Sequence, residues 1–276
     1  MVLSSNSGIH TEAAAAFLAD WKLSRQDREV VVCSALELPA NAPPAGVVTL
    51  GLAALRAVLE RMDNQAGWTQ VPVVAALIPK EGLQTTLKRN HANLTAAYLD
   101  QPFERYIDLI KMAWPAMGRL GLLVGPEQSQ SSPAMFKAAQ ERGFKLSLGR
   151  VSRPESLFST LRTVLSESDA LLVLPDTALA DANDLQTILI TAYRQRIPVV
   201  AYSPALVKAG AALGLYASPS QVGKQVAAVM RATMSGSRVA PRLADGITVS
   251  VNDQVCRSLG WSLPDGQALA DALKHG

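Results

Sequence analysis

Ten residues stand where their chemistry is available for use: Ser5, Asn6, Thr49, Gly51, Pro79, Lys80, Gly125, Glu127, Asp176 and Thr177. Each ends or follows a short apolar run of strand length and lies before a stretch of helical spacing. Hydroxyls, an amide, backbone donors and one or two carboxylates at such places suit a small polar or zwitterionic molecule held by hydrogen bonds. Burial strengthens each of those contacts, because an unpaired donor or charge is costly away from water.

Covalent chemistry has no comparable support. His10, His91 and His275 are scattered, and none lies beside a Cys/Asp/Glu set with metal-ligand spacing. No HExxH, CxxC, GxSxG elbow or lysine-centred phosphate loop occurs. Ser7, His10 and Glu12 crowd one helix start and read as structural rather than as a triad. Thr49-Leu50-Gly51 imitates a phosphate loop but lacks both GxGxxG and a Lys-Ser/Thr ending. No catalytic residue, metal or cofactor is therefore expected.

The elements that must position these residues are clearest between Asp169 and Ala201. Leu171 to Leu174 and Val199 to Ala201 read as buried strands, with Leu185, Ile188, Leu189 and Ala192 at helical spacing between them. A strand, helix and strand in that order make a crossover unit, which implies a parallel sheet covered by helices. Ligands of such sheets collect at the carboxyl ends of the strands, and Asp176 falls there. Two roles stay open for Asp176: capping the next helix, or touching a ligand. Lys80 and Glu127 are equally divided between solvent and ligand, and Asn6 and Thr49 between turn stabilisation and binding.

The same alternation runs along the chain. Val2-Leu3 leads into the polar loop Ser4 to Gly8 and a helix around Thr11 to Trp21. The loop's hydroxyls, amide and helix-start donors can hold an anion or a carboxylate. Strands are expected at Glu29 to Ser34, Val47 to Leu50 and Val71 to Ile78, with an extended segment from Ala92 to Leu99. Pro102 biases Gln101 away from helix and marks a boundary. A second cycle then begins, with strands at Leu120 to Val124, Phe144 to Leu148 and onward to Ile247 to Val251. Repetition on either side of a proline-marked connector predicts an α/β fold of two Rossmann-like, three-layer lobes with parallel sheets.

Composition narrows the functional classes. At 276 residues and 49% hydrophobic, the chain can fill two moderate cores, and disorder is excluded. A net charge of +3 with no long basic block argues against nucleic acid as a partner. Cys33 and Cys256 read as two buried thiols. No run approaches the ~20 apolar residues that span a bilayer. MVLSSNSG has no charged-then-apolar leader, yet Val2-Leu3 is short for a central strand of ~5–6 residues. Loss of a leader together with the strand's first residues is the expected explanation.

Longer segments carry a resemblance. VPVVAALIPKEG, NLTAAYLDQPFERYIDLIKMAWPAMGRLGLLVGP, ALLVLPDTAL, RIPVVAYSPALVKAGAALGLYASPSQVGKQVA and ITVSVNDQVCRSLGW are similar to the ABC-transporter substrate-binding family with a type I periplasmic-binding-protein fold. The likeness runs from Ser4 to about Pro264. It implies an extracytoplasmic receptor, compatible with a monomer, whose lobes close over a small polar ligand for delivery to a membrane permease. The first lobe would comprise residues 1–99 plus 218–245, and the second 100–217 plus 246–276. Ser5-Asn6, Thr49 to Gly51 and Asp176 match regions that the resemblance implies face the ligand, with Asp176 suited to an amino group. Glu127 departs from the pattern by adding a second acid. If it shares a closed pocket with Asp176, the pair needs a cationic ligand, a cation such as Lys80, or a raised carboxyl pKa. A cytoplasmic sensor built on the same bilobal fold is the alternative function, since fold alone does not separate the two.

Overall fold

The structure, a computed structural model, describes residues 1–23, 28–38, 43–126 and 128–275. The chain divides into two compact units, Met1–Leu99 with Ala217–Gly246 and Asp100–Tyr216 with Ile247–Gly276.

The first unit contains β1 (Val2–Leu3), α1 (Ile9–Leu23), β2 (Cys33–Ser34), β3 (Val47–Leu50), α2 (Leu52–Asn64), β4 (Val73–Ala76), α3 (Lys80–Thr86) and β5 (Leu94–Ala97). The returning segment adds α9 (Pro219–Met234). The strands pair in parallel in the order β2-β1-β3-β4-β5. Leu3, Val48, Leu50, Val74 and Ala76 pack on one face against Ala13, Phe17, Val222, Val226 and Met230 of α1 and α9. Val2, Val47, Val73 and Ala75 pack on the other against Leu55, Val58, Leu59 and Met62 of α2. Covering both faces is why these strands read as unbroken apolar runs rather than as alternating ones.

The second unit contains α4 (Phe103–Ala113), β6 (Arg119–Val124), α5 (Ser132–Glu141), β7 (Lys145–Arg150), α6 (Leu157–Ser166), β8 (Ala170–Leu172), α7 (Ala182–Arg194), β9 (Val199–Ala201), α8 (Pro204–Ala209) and β10 (Leu213–Tyr216), followed by β11 (Thr248–Val251), α10 (Asp253–Ser258) and α11 (Gly266–His275). Its sheet runs β11-β10-β9-β8-β6-β7. All pairs are parallel except β10 with β11, an antiparallel edge that the reading of purely parallel sheets did not include. Tyr106, Ile107 and Ile110 of α4 join Leu120, Leu122 and Leu172 on one face, and Leu161, Leu165, Ile188 and Leu189 join Leu171 and Val199 on the other.

Local sequence sets the ends of these elements. Asp181 accepts the Asn183 N–H at 2.8 Å at the start of α7, and Ser218 and Gln221 form a reciprocal capping box at the start of α9. Leu77 takes φ +55°, which stops β4 one residue short of it. The strand expected over Glu29 to Ser34 pairs only at Cys33–Ser34, because the preceding segment is solvent-facing at the sheet edge, with Val31 62% exposed. Both cysteines are free thiols. Burial pushes the Cys256 thiol up to about 11, so it stays protonated and inert at neutral pH.

Candidate functional site

Relabelled by chain order, both sheets have the same core: the first strand lies between the second and third, and the fourth and fifth follow outward. In that order the chain leaves the first strand in one direction and the third in the other, opening a crevice at their carboxyl ends. The first unit places this switch point between β1 and β3. The second places it between β6 and β8.

At the first switch point the Ser4 N–H donates to Leu50 O at 2.9 Å, which pins the Ser4 to Gly8 loop beside the end of β3. Ser4 Oγ then accepts the Ala54 N–H at 2.9 Å, satisfying a free donor at the start of α2 that Gly51, lacking a side chain, cannot reach. Gly51 has φ +94°, and a Cβ there would lie 2.5 Å from Ser4 Oγ and 2.8 Å from His10 Nε2. Only glycine fits both the conformation and the space. Ser5, Asn6 and Ser7 are exposed beside it, with Ser5 Oγ 3.1 Å from Ser7 Oγ.

His10 is a member of this group that sequence reasoning set aside. Partial burial holds its imidazole below the ordinary value, against a Ser7 backbone hydrogen bond that pulls the other way. Thr49, divided between turn stabilisation and binding in the sequence, has Val2 and Ala75 as register partners, so its wholly buried side chain faces the α2 layer with Val47. Pro79 precedes α3 and Lys80 opens it, exposed, at the carboxyl end of β4. The buried Glu81 next to them carried no sequence signal beyond that position.

The second switch point is tighter. Asp176 is 3% exposed; its Oδ2 accepts the Gly125 N–H at 2.6 Å and its Oδ1 the Ala178 N–H at 2.9 Å. The carboxylate thus ties the end of β6 to the turn Thr177–Leu179, where Thr177 is exposed. Asp176 therefore caps that turn, beyond the carboxyl end of β8. Gln128 flanks it, donating from Nε2 to Pro175 O at 3.0 Å. Gln128 Oε1 is buried without a hydrogen-bond partner among the described residues. Tyr202 follows β9, and burial first, then the Asp176 charge, holds its phenol above the ordinary value. Gln128 and Tyr202 were both missed by the sequence reading; position after a strand was their only signal. Glu127 lies outside the described residues. No cluster of three or more metal-ligating side chains occurs among the described residues.

The second unit offers acceptors at its crevice, the Asp176 carboxylate and Gln128 Oε1, and the first an exposed loop of hydroxyls and an amide. The profile of a family described as ABC transporter substrate binding protein matches residues 17–275, and the chain belongs to that family. The family implies a ligand and an ABC permease as partner, and work outside the cytoplasm. Comparison with curated proteins found no match.

Solved structures share the fold. An ABC domain in complex with L-Trp from Streptococcus pneumoniae is 14% identical with a TM-score of 0.67, covering 98% of this chain and 96% of that one. The ligand-free, open form of a substrate-binding protein with adhesive properties from Clostridium difficile is 13% identical with a TM-score of 0.68, covering 95% and 94%. A glucose-galactose binding protein from Geobacillus stearothermophilus is 15% identical with a TM-score of 0.52, covering 91% and 96%. At these identities the likeness establishes the type I substrate-binding fold and leaves ligand chemistry to the site itself. Among the described residues no helix is long and apolar enough to cross a membrane.

Proposed function

We propose that this protein is the solute-binding component of an ABC uptake transporter and that its solute is an amino acid or a related small amine. The observation that carries the reading is the acceptor pair at the second switch point. Asp176 is a buried carboxylate, and Gln128 Oε1 beside it has no donor among the described residues. An ammonium group supplies both a positive charge and several donors, which a sugar hydroxyl does not. The exposed Ser5-Asn6-Ser7 loop of the first unit suits the carboxylate end of the same molecule. The relative from Streptococcus pneumoniae, solved with L-Trp, is in keeping with this class.

In this reading the two units are lobes that close over the solute, and each switch point contributes one side of the pocket. Binding shifts the protein toward the closed state only through tighter binding to that state. Closure removes water from the contacts and presents a surface to the permease, while separate ATPase subunits supply the energy. In this reading Gly125 and Thr177 act with Asp176 in the second unit, and Gly51, Pro79 and Lys80 act in the first.

Native mass spectrometry of protein purified without denaturation tests this. The expected spectrum shows a non-covalent complex whose added mass is that of one amino acid or small amine, and that is lost on mild activation. A retained sugar would contradict the ligand class. Protein that carries no adduct and gains no thermal stability from any of the standard amino acids would contradict the proposal as a whole.

A further inference from the structure

His10 is the second residue of α1, half-buried between the Ser4 to Gly8 loop and the end of β3. Its ring reaches Gly51: a Cβ there would lie 2.8 Å from His10 Nε2, so the missing side chain at 51 is what makes room for the imidazole. Other groups hold the turn. The Glu12 N–H and Thr11 Oγ1 both donate to Gly8 O, at 3.1 and 2.9 Å, and the helix starts without help from the ring.

A Ser7 backbone hydrogen bond engages one side of the imidazole, and no other hydrogen bond to the ring occurs among the described residues. A neutral imidazole that donates from one nitrogen offers only a lone pair at the other, and taking up a proton turns that nitrogen into a charged donor. Burial opposes the charge, and so does a place in the first turn of a helix. An anion beside the ring reverses the balance. The charged groups that neighbouring elements carry toward this end are Glu12 of α1, Arg56 of α2, Lys80 and Glu81 of α3, and Lys224 of α9. None of them sets the proton affinity of His10, which follows from burial and the Ser7 bond. An anion able to charge the ring therefore arrives with the solute.

We propose that His10 takes up a proton as the solute's carboxylate docks on the Ser5-Asn6-Ser7 loop, and that the imidazolium then donates to that carboxylate. Capture thereby selects for an anionic end and tightens in mild acid. This rests on the amino-acid reading and adds to it a specificity-determining residue and a proton.

The standard amino acids other than histidine are the probes, titrated into the whole protein by calorimetry in buffers of low and high ionisation heat. For any that binds, affinity should rise about ten-fold between pH about 7.5 and about 5.5, the worth of a one-unit pKa rise from a neighbouring opposite charge. The buffer dependence should show proton uptake over the same range. His10→Gln, which keeps a donor but cannot titrate, should give a flat profile and no uptake, while His91→Gln should keep both. In the unmodified protein the titration midpoint of the His10 ring, read by ¹H–¹³C shifts, should move up on saturation with the same amino acid. Binding without proton uptake, an unmoved His10 midpoint, or linkage that survives His10→Gln would overturn this inference and leave the amino-acid reading standing. Binding of none of the amino acids would overturn both.

Discussion

Asp176 carries two hydrogen bonds to backbone donors before any solute arrives, and that changes what its substitution should do. Asp176→Asn keeps the shape but replaces one acceptor oxygen by a donor, which must then face either the Gly125 or the Ala178 N–H. We expect a loss of roughly 1–3 kcal/mol in stability, read by urea denaturation, along with weaker amine binding. Unchanged stability would contradict its bracing role. His10 makes a second prediction. Its folded pKa is lowered, so the neutral form is favoured in the native state, and the associated stability is present above the unfolded value of about 6.5 and lost as pH falls through the folded one. His10→Gln should therefore flatten the decline of thermal midpoint on acidification just below pH about 6.5, and parallel curves would show that the imidazole is uncoupled from folding. At this scale the sequence was legible where position decided the matter, as for Gly51, Gly125 and Asp176 at strand ends. It was not legible for Thr49, because faces alternate along a strand and a shift of one position reverses the direction of a side chain. Tyr202 and Gln128 were hidden for a different reason: their placement depends on which strands are neighbours, and that is set by long-range pairing.

Among the elements, α9 shows how a distant segment completes a core. It enters the first unit after the chain has built most of the second, and its Gly223 lies against α1 so closely that a Cβ would come 2.3 Å from Ala13 O and 2.9 Å from the Phe17 N–H nitrogen. The Asp20–Arg231 ion pair, at 2.6 Å, fixes the same two helices near their other ends. Gly223→Val should push them apart and cost about 3 kcal/mol or more, at the upper end for overpacking, as a fall in the denaturation midpoint. A loss below about 1 kcal/mol would mean that the helices slide freely, contrary to the packing described. Buried strands such as β3 and β9 were readable because both of their faces are covered and the apolar run is continuous. Residues 29–32 were misread as strand because Val30, Val31 and Val32 look alike whether they pair or only lie extended at an edge. The positive φ that ends β4 at Leu77 has no composition cue, since leucine seldom adopts it.

For the molecule as a whole, the repeated strand order matters more than any single residue. The same order in both sheets gives each unit one switch point. Alternation of apolar runs and helical spacing made the α/β class legible, while the antiparallel β11 was beyond local pattern because its partner β10 is separated from it by the whole of α9. The central claim is that one solute amino group meets the Asp176 side of the pocket. Isothermal calorimetry of the intact protein with the standard amino acids, each paired with its N-acetyl derivative, tests it most directly. The account predicts one saturable site per chain for at least one free amino acid and a loss of at least ten-fold in affinity, about 1.4 kcal/mol, when its amine is acetylated. Equal binding of the free and acetylated forms would contradict it.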